Sequence, residues 1–242
     1  MGGFVDIHCH LIPGVDDGAK DMDMSIKMMK MAYREGVRKM ILTPHFSIKY
    51  RMPYKDVDEA FRQLVCKVKE EIPDLELYLG EENYFSFDIP QLIAEGKAKT
   101  LNGTDYVLLE FSTERDFRYL EDGIRKVQEA GYIPILAHAE RYGCLIGKIE
   151  YLEELIEMGT YIQMNADSIM EPWNRKQKVF IKKALTNRLV HFIATDAHDD
   201  KQRAPNIRAC ANYVADKYGL EYAKELFMVN GIQLLENKII KR

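Results

Sequence analysis

The chain has 242 residues, a formal net charge of −4 and a pI near 5.9, which argues against a nucleic-acid scaffold because no basic face offsets the acids. No apolar run approaches the roughly 18 residues that a membrane span needs. The four cysteines form no Cys-x-x-Cys pair, as expected for reduced thiols: Cys9, Cys66, Cys144 and Cys210. We therefore expect a cytoplasmic protein with no membrane insertion and no nucleic-acid partner.

Short apolar strands alternate with amphipathic helices along the chain, and no linker interrupts them. We predict seven strands, at residues 4–7, 39–43, 75–79, 106–109, 133–137, 160–164 and 189–194. The first helix spans residues 21–35 and ends at Gly36. Sequential alternation implies a parallel sheet, which would close into a barrel one unit short of the eight-fold α/β barrel. We expect residues 1–242 to form a single domain.

Side chains that bind metals stand at the carboxyl ends of these strands. His8 and His10 are two residues apart, so both imidazoles point to one face and Cys9 points to the other. Such a pair suits a divalent metal, but an isolated pair is only weak evidence for a metal site. Similar residues end later strands, where α/β barrels have their active sites: His45, Glu82, Glu110, His138, Asp196 and His198. Five such strand ends together indicate a metal centre, whereas His191 lies inside a strand and is predicted to be structural.

Seven short motifs identify a family resemblance that covers nearly the whole chain. They are residues 6–18 (DIHCHLIPGVDDG), Thr43-Pro44-His45, Gly80-x-Glu82, Leu109-Glu110-Phe111, residues 137–142 (AHAERY), Gln163-Met164-Asn165 and Thr195-Asp196-Ala197-His198. On these residues the sequence resembles the PHP (polymerase and histidinol phosphatase) metallophosphoesterases. Within them it is similar to the manganese-dependent protein-tyrosine phosphatases of bacterial capsule and exopolysaccharide operons. Phe46 stands where relatives often have a second His, Ala139 where Pro is usual, and Thr195 where Ser is usual.

The resemblance implies a distorted PHP-type (β/α)7 barrel that holds three divalent ions at the carboxyl ends of its strands. It implies these ligand sets: His8, His10, Glu82 and Asp196 for one ion; Glu82, Glu110 and His138 for a second; Asp17, His45 and His198 for a third. Asp16 is expected to shape the turn before Gly18. Imidazoles and carboxylates without cysteine suit Mn²⁺, Fe²⁺ or Zn²⁺, and the resemblance favours Mn²⁺.

Charge and residue type indicate phosphate chemistry at this centre. Three divalent ions and four carboxylates leave a charge of about +2, which attracts a phosphate anion. The expected reaction is in-line attack of a metal-bound hydroxide on phosphorus, since the chain has no Cys-x5-Arg motif for a phosphocysteine. The resemblance assigns phosphate contact to Arg141 and Arg203, whose guanidinium groups match phosphate oxygens, beside His138 and His198. The sequence does not identify the acid for the leaving group, for which Asn165 and Asp199 are candidates only.

Aromatic residues follow the second and third strands: Phe46, Tyr50, Tyr54, Tyr84, Phe85 and Phe87. They could stack on the ring of an aryl phosphate, or they could simply cover the end of the barrel. The sequence leaves both interpretations open.

Three functional classes are compatible with these residues. The leading one is a protein-tyrosine phosphatase that acts on the phosphorylated tail of a bacterial tyrosine kinase controlling capsular or exopolysaccharide synthesis. The alternative is a phosphatase for a small phosphomonoester such as histidinol phosphate, but relatives with that role usually have His where this chain has Asp17 and Glu110. A non-catalytic metal-binding regulatory module is disfavoured because the ligand set is complete. The sequence does not indicate the oligomeric state.

Overall fold

The structure is a computed structural model and describes residues 2–53 and 55–241. Its strands are β1 (Phe4–Asp6), β2 (Val37–Leu42), β3 (His45–Phe46), β4 (Glu76–Leu79), β5 (Glu82–Tyr84), β6 (Tyr106–Glu110), β7 (Ile133–Leu136), β8 (Tyr161–Asn165) and β9 (Phe192–Ala194). Its helices are α1 (Met22–Glu35), α2 (Val57–Glu71), α3 (Ile89–Ala94), α4 (Phe117–Glu129), α5 (Ile149–Glu157), α6 (Ala166–Met170), α7 (Arg175–Thr186), α8 (Arg208–Tyr218), α9 (Leu220–Lys224) and α10 (Asn230–Leu235). A π-helical turn, Glu225–Val229, joins the last two helices. None of the described helices is both long enough and apolar enough to cross a membrane.

The helices begin and end where polar caps and glycine allow it. Asp21 precedes α1 and its carboxylate accepts the Met24 backbone N–H at 2.9 Å, which satisfies one of the free donors of the first turn. Gly36 ends the same helix with φ +104°, a left-handed conformation that glycine adopts without strain. These local signals explain why the predicted bounds of α1 agree closely with the observed ones.

All strand pairs are parallel, in the orders β1-β2-β4 and β3-β5-β6-β7-β8-β9. The two sheets are connected at both sides. Backbone bonds run from Gly80 N to Leu42 O (2.9 Å) and from Glu82 N to Pro44 O (3.1 Å), while His10 N donates to Ala197 O at 2.9 Å. The predicted α/β fold with a parallel sheet is therefore confirmed as a curled sheet, whereas its exact count of seven units stays a prediction.

One end of the curled sheet is apolar inside and is closed by the chain's C-terminal segment. Tyr106, Leu108 and Tyr161 are fully buried there. The hydroxyl of Tyr106 donates to Lys238 O and that of Tyr161 donates to Ile240 O, each at 2.7 Å. The apolar side chains fill this end, whereas the candidate metal ligands lie at the opposite, carboxyl end.

Candidate metal centre

The segment after β1 places two imidazoles at the centre of the carboxyl end. His8 and His10 are both fully buried, and their Nε2 atoms lie 3.2 Å apart. Each of these atoms is 3.3 Å from a carboxylate oxygen of Glu82 and 3.4 Å from Asp196 Oδ1. These two imidazoles and two carboxylates, which the family resemblance assigns to one ion, therefore surround a single point.

Glu82 also contacts the second predicted set. His138 Nε2 lies 2.8 Å from Glu82 Oε1 and 3.7 Å from Glu110 Oε1. Glu82 begins β5 and Glu110 ends β6, and these two strands pair in parallel. Glu82 therefore contacts ligands of both the first and the second predicted set.

The third predicted set lies nearer the surface. Asp17 Oδ1 is 3.4 Å from His45 Nε2 and 3.5 Å from His198 Nε2. The other ring nitrogen of His45, Nδ1, is 3.0 Å from Glu82 Oε2. The structure therefore brings all nine predicted ligands into one continuous cluster.

The cluster fits divalent metal ions. Three groups of its ligand atoms each lie within 4.8 Å of one another: His10, Asp17, His45 and His198; His8, His10 and Glu82; His45, Glu82 and Glu110. Three of its buried atoms have no hydrogen-bond partner among the described residues: Glu82 Oε2, His138 Nδ1 and His198 Nε2. Buried polar atoms without a partner are costly, and coordination to an ion would satisfy ligand atoms of this kind.

The electrostatics of the cluster favour charged carboxylates at Glu82 and Asp196 and neutral imidazoles at His138 and His198. At His8, His10 and His45, burial acts to lower the pKa, but neighbouring carboxylates outweigh it and raise the pKa of each imidazole. Burial acts to raise the pKa of Glu82 and of Asp196, but His8 and other neighbouring cationic groups outweigh it and hold both pKa values well below their usual range. Burial lowers the pKa of His138, and burial together with the charge of His10 lowers the pKa of His198 to about 2. A carboxylate and an unprotonated imidazole are the forms that bind metal.

Glu110 differs from the other carboxyl groups. Burial, and next the charge of Glu82, raises the pKa of Glu110 to about 8. A divalent ion beside it would favour the charged form instead. Glu110 is thus a predicted ligand whose protonation would change when an ion binds beside it.

Two predicted ligands have an unusual backbone. His138 (φ 34°, ψ 56°) and Asp196 (φ 51°) both lie in the left-handed region. Non-glycine residues rarely adopt it, and such strain is concentrated at functional sites. Each residue comes two positions after the end of a strand, His138 after β7 and Asp196 after β9.

The loop after His10 is held by Asp16. Its carboxylate accepts the Gly18 N–H at 3.0 Å, as the predicted turn requires. It also contacts His10 Nδ1 at 2.9 Å and accepts the His45 N–H at 3.0 Å, two contacts that the sequence did not reveal. A Cβ at Gly18 would lie 2.0 Å from His10 O, so only glycine allows this close approach.

Two further buried residues support the cluster without having been predicted to do so. The Gln163 Oε1 accepts the His138 N–H at 2.8 Å and lies 3.1 Å from His8 Nδ1. The Asp6 carboxylate accepts a hydrogen bond from the Thr195 N–H at 3.1 Å and another from the Thr195 hydroxyl at 2.5 Å. The sequence signal that could have identified them is a polar residue on the buried face of an otherwise apolar strand.

Both predicted phosphate-binding arginines contact the same carboxylate. Asp196 Oδ2 lies 3.0 Å from Arg141 Nη2 and 2.9 Å from Arg203 Nη2. It also accepts a hydrogen bond of 2.8 Å from the Asn165 amide. Asp199 instead accepts backbone N–H bonds from the turn that follows it, including 2.6 Å from Lys201.

The remaining histidine and the cysteines do not belong to the cluster. His191 Nδ1 accepts the Ile162 N–H at 3.1 Å, in agreement with the predicted structural role. Cys9 is fully buried, and burial raises the pKa of its thiol well above the usual range. A thiol in this state is a poor nucleophile.

The aromatic residues beside the cluster divide into two groups. Phe46 and Phe85 are buried, and Phe85 stacks on Phe111 with ring centroids 4.8 Å apart. Tyr50 and Phe87 are 49% and 53% exposed. The first group covers the barrel, as one interpretation predicts, while the second is accessible to a substrate. Tyr54 lies outside the described residues.

Comparison with known proteins gives one consistent result. A family model for capsular polysaccharide synthesis proteins, CpsB/CapC, matches residues 4–236. The tyrosine-protein phosphatase CpsB of Streptococcus pneumoniae is 33% identical, over 98% of this chain and 100% of its own length. The tyrosine-protein phosphatase YwqE of Bacillus subtilis is 36% identical, over 98% of this chain and 94% of its own.

Solved structures agree with these sequence matches. A chain from the crystal structures of YwqE from B. subtilis and CpsB from S. pneumoniae, described as metal-dependent tyrosine phosphatases, superposes with a TM-score of 0.89. It is 34% identical, over 98% of this chain and 96% of that one. A histidinol phosphate phosphatase from Lactococcus lactis shares the fold, with a TM-score of 0.58 at 16% identity, over 90% of this chain and 95% of that one.

Proposed function

Because the chain belongs to the CpsB/CapC family of capsular polysaccharide synthesis proteins, we propose that it is a metal-dependent phosphatase that hydrolyses phosphotyrosine on a protein. The predicted family and enzyme class agree with the similar proteins, which are named tyrosine-protein phosphatases. The observation that carries the proposal is the single buried cluster of imidazoles and carboxylates at the carboxyl end of the sheet.

The residues that would hold the ions are the predicted nine: His8, His10, Asp17, His45, Glu82, Glu110, His138, Asp196 and His198. We propose three sites, with Mn²⁺ as the preferred ion and Fe²⁺ or Zn²⁺ as alternatives. Bound divalent ions would supply a water of lowered pKa as nucleophile and would neutralise charge on the phosphate. Glu82 lies between the first two ligand sets and would therefore hold two ions at once.

The arginines would bind and orient the phosphoryl group. Asp196 Oδ2 holds the guanidinium groups of Arg141 and Arg203 side by side at the rim of the cluster. Arginine donors match phosphate oxygens in geometry and charge. They would therefore fix the phosphate over the buried ligands.

The substrate we propose is the phosphorylated tail of a bacterial tyrosine kinase. A flexible tail suits a site that opens at the end of the barrel, where an exposed ring such as Tyr50 is available for stacking. We place the enzyme in the cytoplasm, which suits its unpaired cysteines.

We further propose that residues 1–242 form a single domain built as a (β/α)7 barrel. The backbone bonds from β2 to β4 continue into those from β3 to β5. Counting β2 with β3 and β4 with β5 as interrupted strands gives the seven predicted units.

The alternative, a small-molecule phosphatase such as a histidinol phosphatase, is less well supported. Its favourable observation is the fold shared with the L. lactis enzyme, and fold alone does not determine substrate. Asp17 and Glu110 both lie in the cluster, at the positions where the resemblance expects histidine for that activity.

The test compares kcat/KM of the Mn²⁺-loaded protein on a phosphotyrosine peptide, a phosphoserine peptide and histidinol phosphate, with Asp196→Ala as the blank. We expect the phosphotyrosine peptide to be preferred by about 10²-fold or more, and this turnover to be lost in the blank. A preference for histidinol phosphate would replace the proposed substrate. Turnover that persists after chelation of the metal would overturn the proposed centre.

A further inference from the structure

A cavity lies directly beside the metal cluster. Its volume is about 370 Å³, and it is lined by residues 47–49 and 84–88 together with Ser112, Arg115 and Tyr119. Tyr84 in its wall pairs in register with Glu110, and the Phe85 N–H donates to Glu110 O at 2.7 Å. The cavity therefore begins immediately beside a predicted metal ligand, and we call it the Lys49–Arg115 cavity.

Aromatic rings form much of its wall. Tyr84 contacts Tyr50 edge to face, with centroids 5.2 Å apart, and Phe87 contacts Tyr119 in the same way at 6.0 Å. Phe87 is 53% exposed. Aromatic walls of this kind accept the apolar part of a peptide side chain or an aromatic ring.

Two cations, Lys49 and Arg115, face this cavity. Lys49 Nζ lies 5.7 Å from the Tyr84 ring centroid, and Arg115 Cζ lies 4.4 Å from that of Tyr119. Neither Lys49 nor Arg115 forms an ion pair within the described part of the chain. Lys49 Nζ donates to the Tyr50 hydroxyl at 2.9 Å, and this contact raises the pKa of Lys49 although the charge of Arg115 acts in the opposite direction.

One acid in the lining opposes these cations. Asp88 is part of the cavity wall, so the local charge of the lining is +1 rather than +2. Glu114 precedes Arg115 in the chain but does not belong to the lining. A chain with a net charge of −4 thus presents a small positive site next to its metal cluster.

We propose that the Lys49–Arg115 cavity binds a second anionic side chain of the phosphopeptide, close in sequence to the phosphotyrosine that is hydrolysed. The anion is a carboxylate or a second phosphate, either of which two cations can bind. An extended peptide advances about 3.3 Å per residue, so residues within three positions of the scissile phosphotyrosine reach a cavity that begins beside Glu110. This inference rests on the proposed phosphotyrosine activity and extends it to substrate choice.

The test measures kcat and KM of the Mn²⁺-loaded full chain on four substrates. They are p-nitrophenyl phosphate, a phosphotyrosine peptide with neutral flanks, the same peptide with glutamates at the flanks, and a doubly phosphorylated peptide. We expect Lys49→Met and Arg115→Met each to lower kcat/KM about tenfold on the anionic peptides, chiefly through KM. The loss on p-nitrophenyl phosphate should be less than twofold. The two anionic peptides distinguish a carboxylate from a phosphate as the ligand.

Two further variants, Asp88→Asn and Lys69→Met, test whether the effect depends on the charge inside the cavity. Asp88→Asn removes the opposing acid and should raise kcat/KM on the anionic peptides. Lys69 is an exposed cation near the end of α2, outside the cavity lining, so Lys69→Met should have no effect. Equal losses on the neutral peptide, or an equal effect of Lys69→Met, would overturn the inference.

A binding measurement separates this inference from the proposed function. Fluorescence anisotropy of the doubly phosphorylated peptide requires no turnover. If the wild-type protein hydrolysed none of the substrates, the proposed function would fail. Weaker peptide binding by Arg115→Met than by Lys69→Met would then still support the cavity, and equal binding would overturn it.

Discussion

The two ends of the sheet interior are built from the same strands but have opposite chemistry. In β6, Tyr106 and Leu108 lie in the apolar end, and Glu110 reaches the metal cluster. In β8, Tyr161 is apolar packing, whereas Gln163 contacts His8 and the next inward residue, Asn165, contacts Asp196. Alternate residues of a strand face the same side. The inward residues of each of these strands are therefore apolar packing residues at one end and polar residues of the metal cluster at the other.

The difference shows where stability and activity come from. At the apolar end, buried tyrosines donate to the backbone of the C-terminal segment and close the barrel. At the carboxyl end, buried carboxylates and imidazoles are costly to bury and stabilise the fold little. Substitutions at the two ends should therefore separate activity from stability.

The largest effect is expected for Asp196→Asn at the carboxyl end. This change removes a negative charge that two arginines and three imidazoles contact. We expect kcat/KM on a phosphotyrosine peptide to fall about 10²–10³-fold. Asp105→Asn is the matched control, because Asp105 is exposed and bonded to Asn237 at the other end, and it should keep wild-type activity. Comparable losses in both variants would contradict the division between the ends.

An intermediate effect is expected for Gly18→Ala. The added Cβ would lie 2.0 Å from His10 O, so the loop that includes Asp16 and Asp17 must move. A displacement of about 1 Å at an active site can reduce the rate about 10²-fold, and we expect a loss of that size in kcat. In Gly143→Ala the new Cβ would lie 3.7 Å from Thr113 O, an ordinary contact, and the activity should stay within twofold of wild type. Full activity of Gly18→Ala would show that the loop tolerates the shift.

The smallest effect is expected for Tyr161→Phe at the apolar end. The variant loses the 2.7 Å hydrogen bond to Ile240 O, which should lower the free energy of unfolding by about 1 kcal/mol. Urea unfolding measures this loss, while kcat/KM should not change. Tyr151→Phe, on the outer helix α5, is the control and should change neither quantity. A drop in activity without a loss of stability would mean that the two ends are coupled.

Much of the candidate site could be predicted because its ligands stand at strand ends. The alternation of apolar strands and helices indicates a parallel sheet, and the carboxyl ends of parallel strands meet at one edge. This pattern predicts that residues as distant in sequence as His8 and His198 lie close together. The supporting contacts of Asp16 and Gln163 could not be predicted, because a buried polar residue does not reveal its partner.

The sequence by itself determined which strands carry candidate ligands at their ends, the helix bounds set by caps such as Asp21 and Gly36, and the orientation of Cys9 away from the face of His8 and His10. These features depend on local patterns with periods of 2 and 3.6 residues. Only the tertiary structure decided that Asp196 holds both arginines and that Lys49 and Arg115 face one cavity. Such contacts join segments that are far apart in the chain, and their geometry exists only after the sheet has curled.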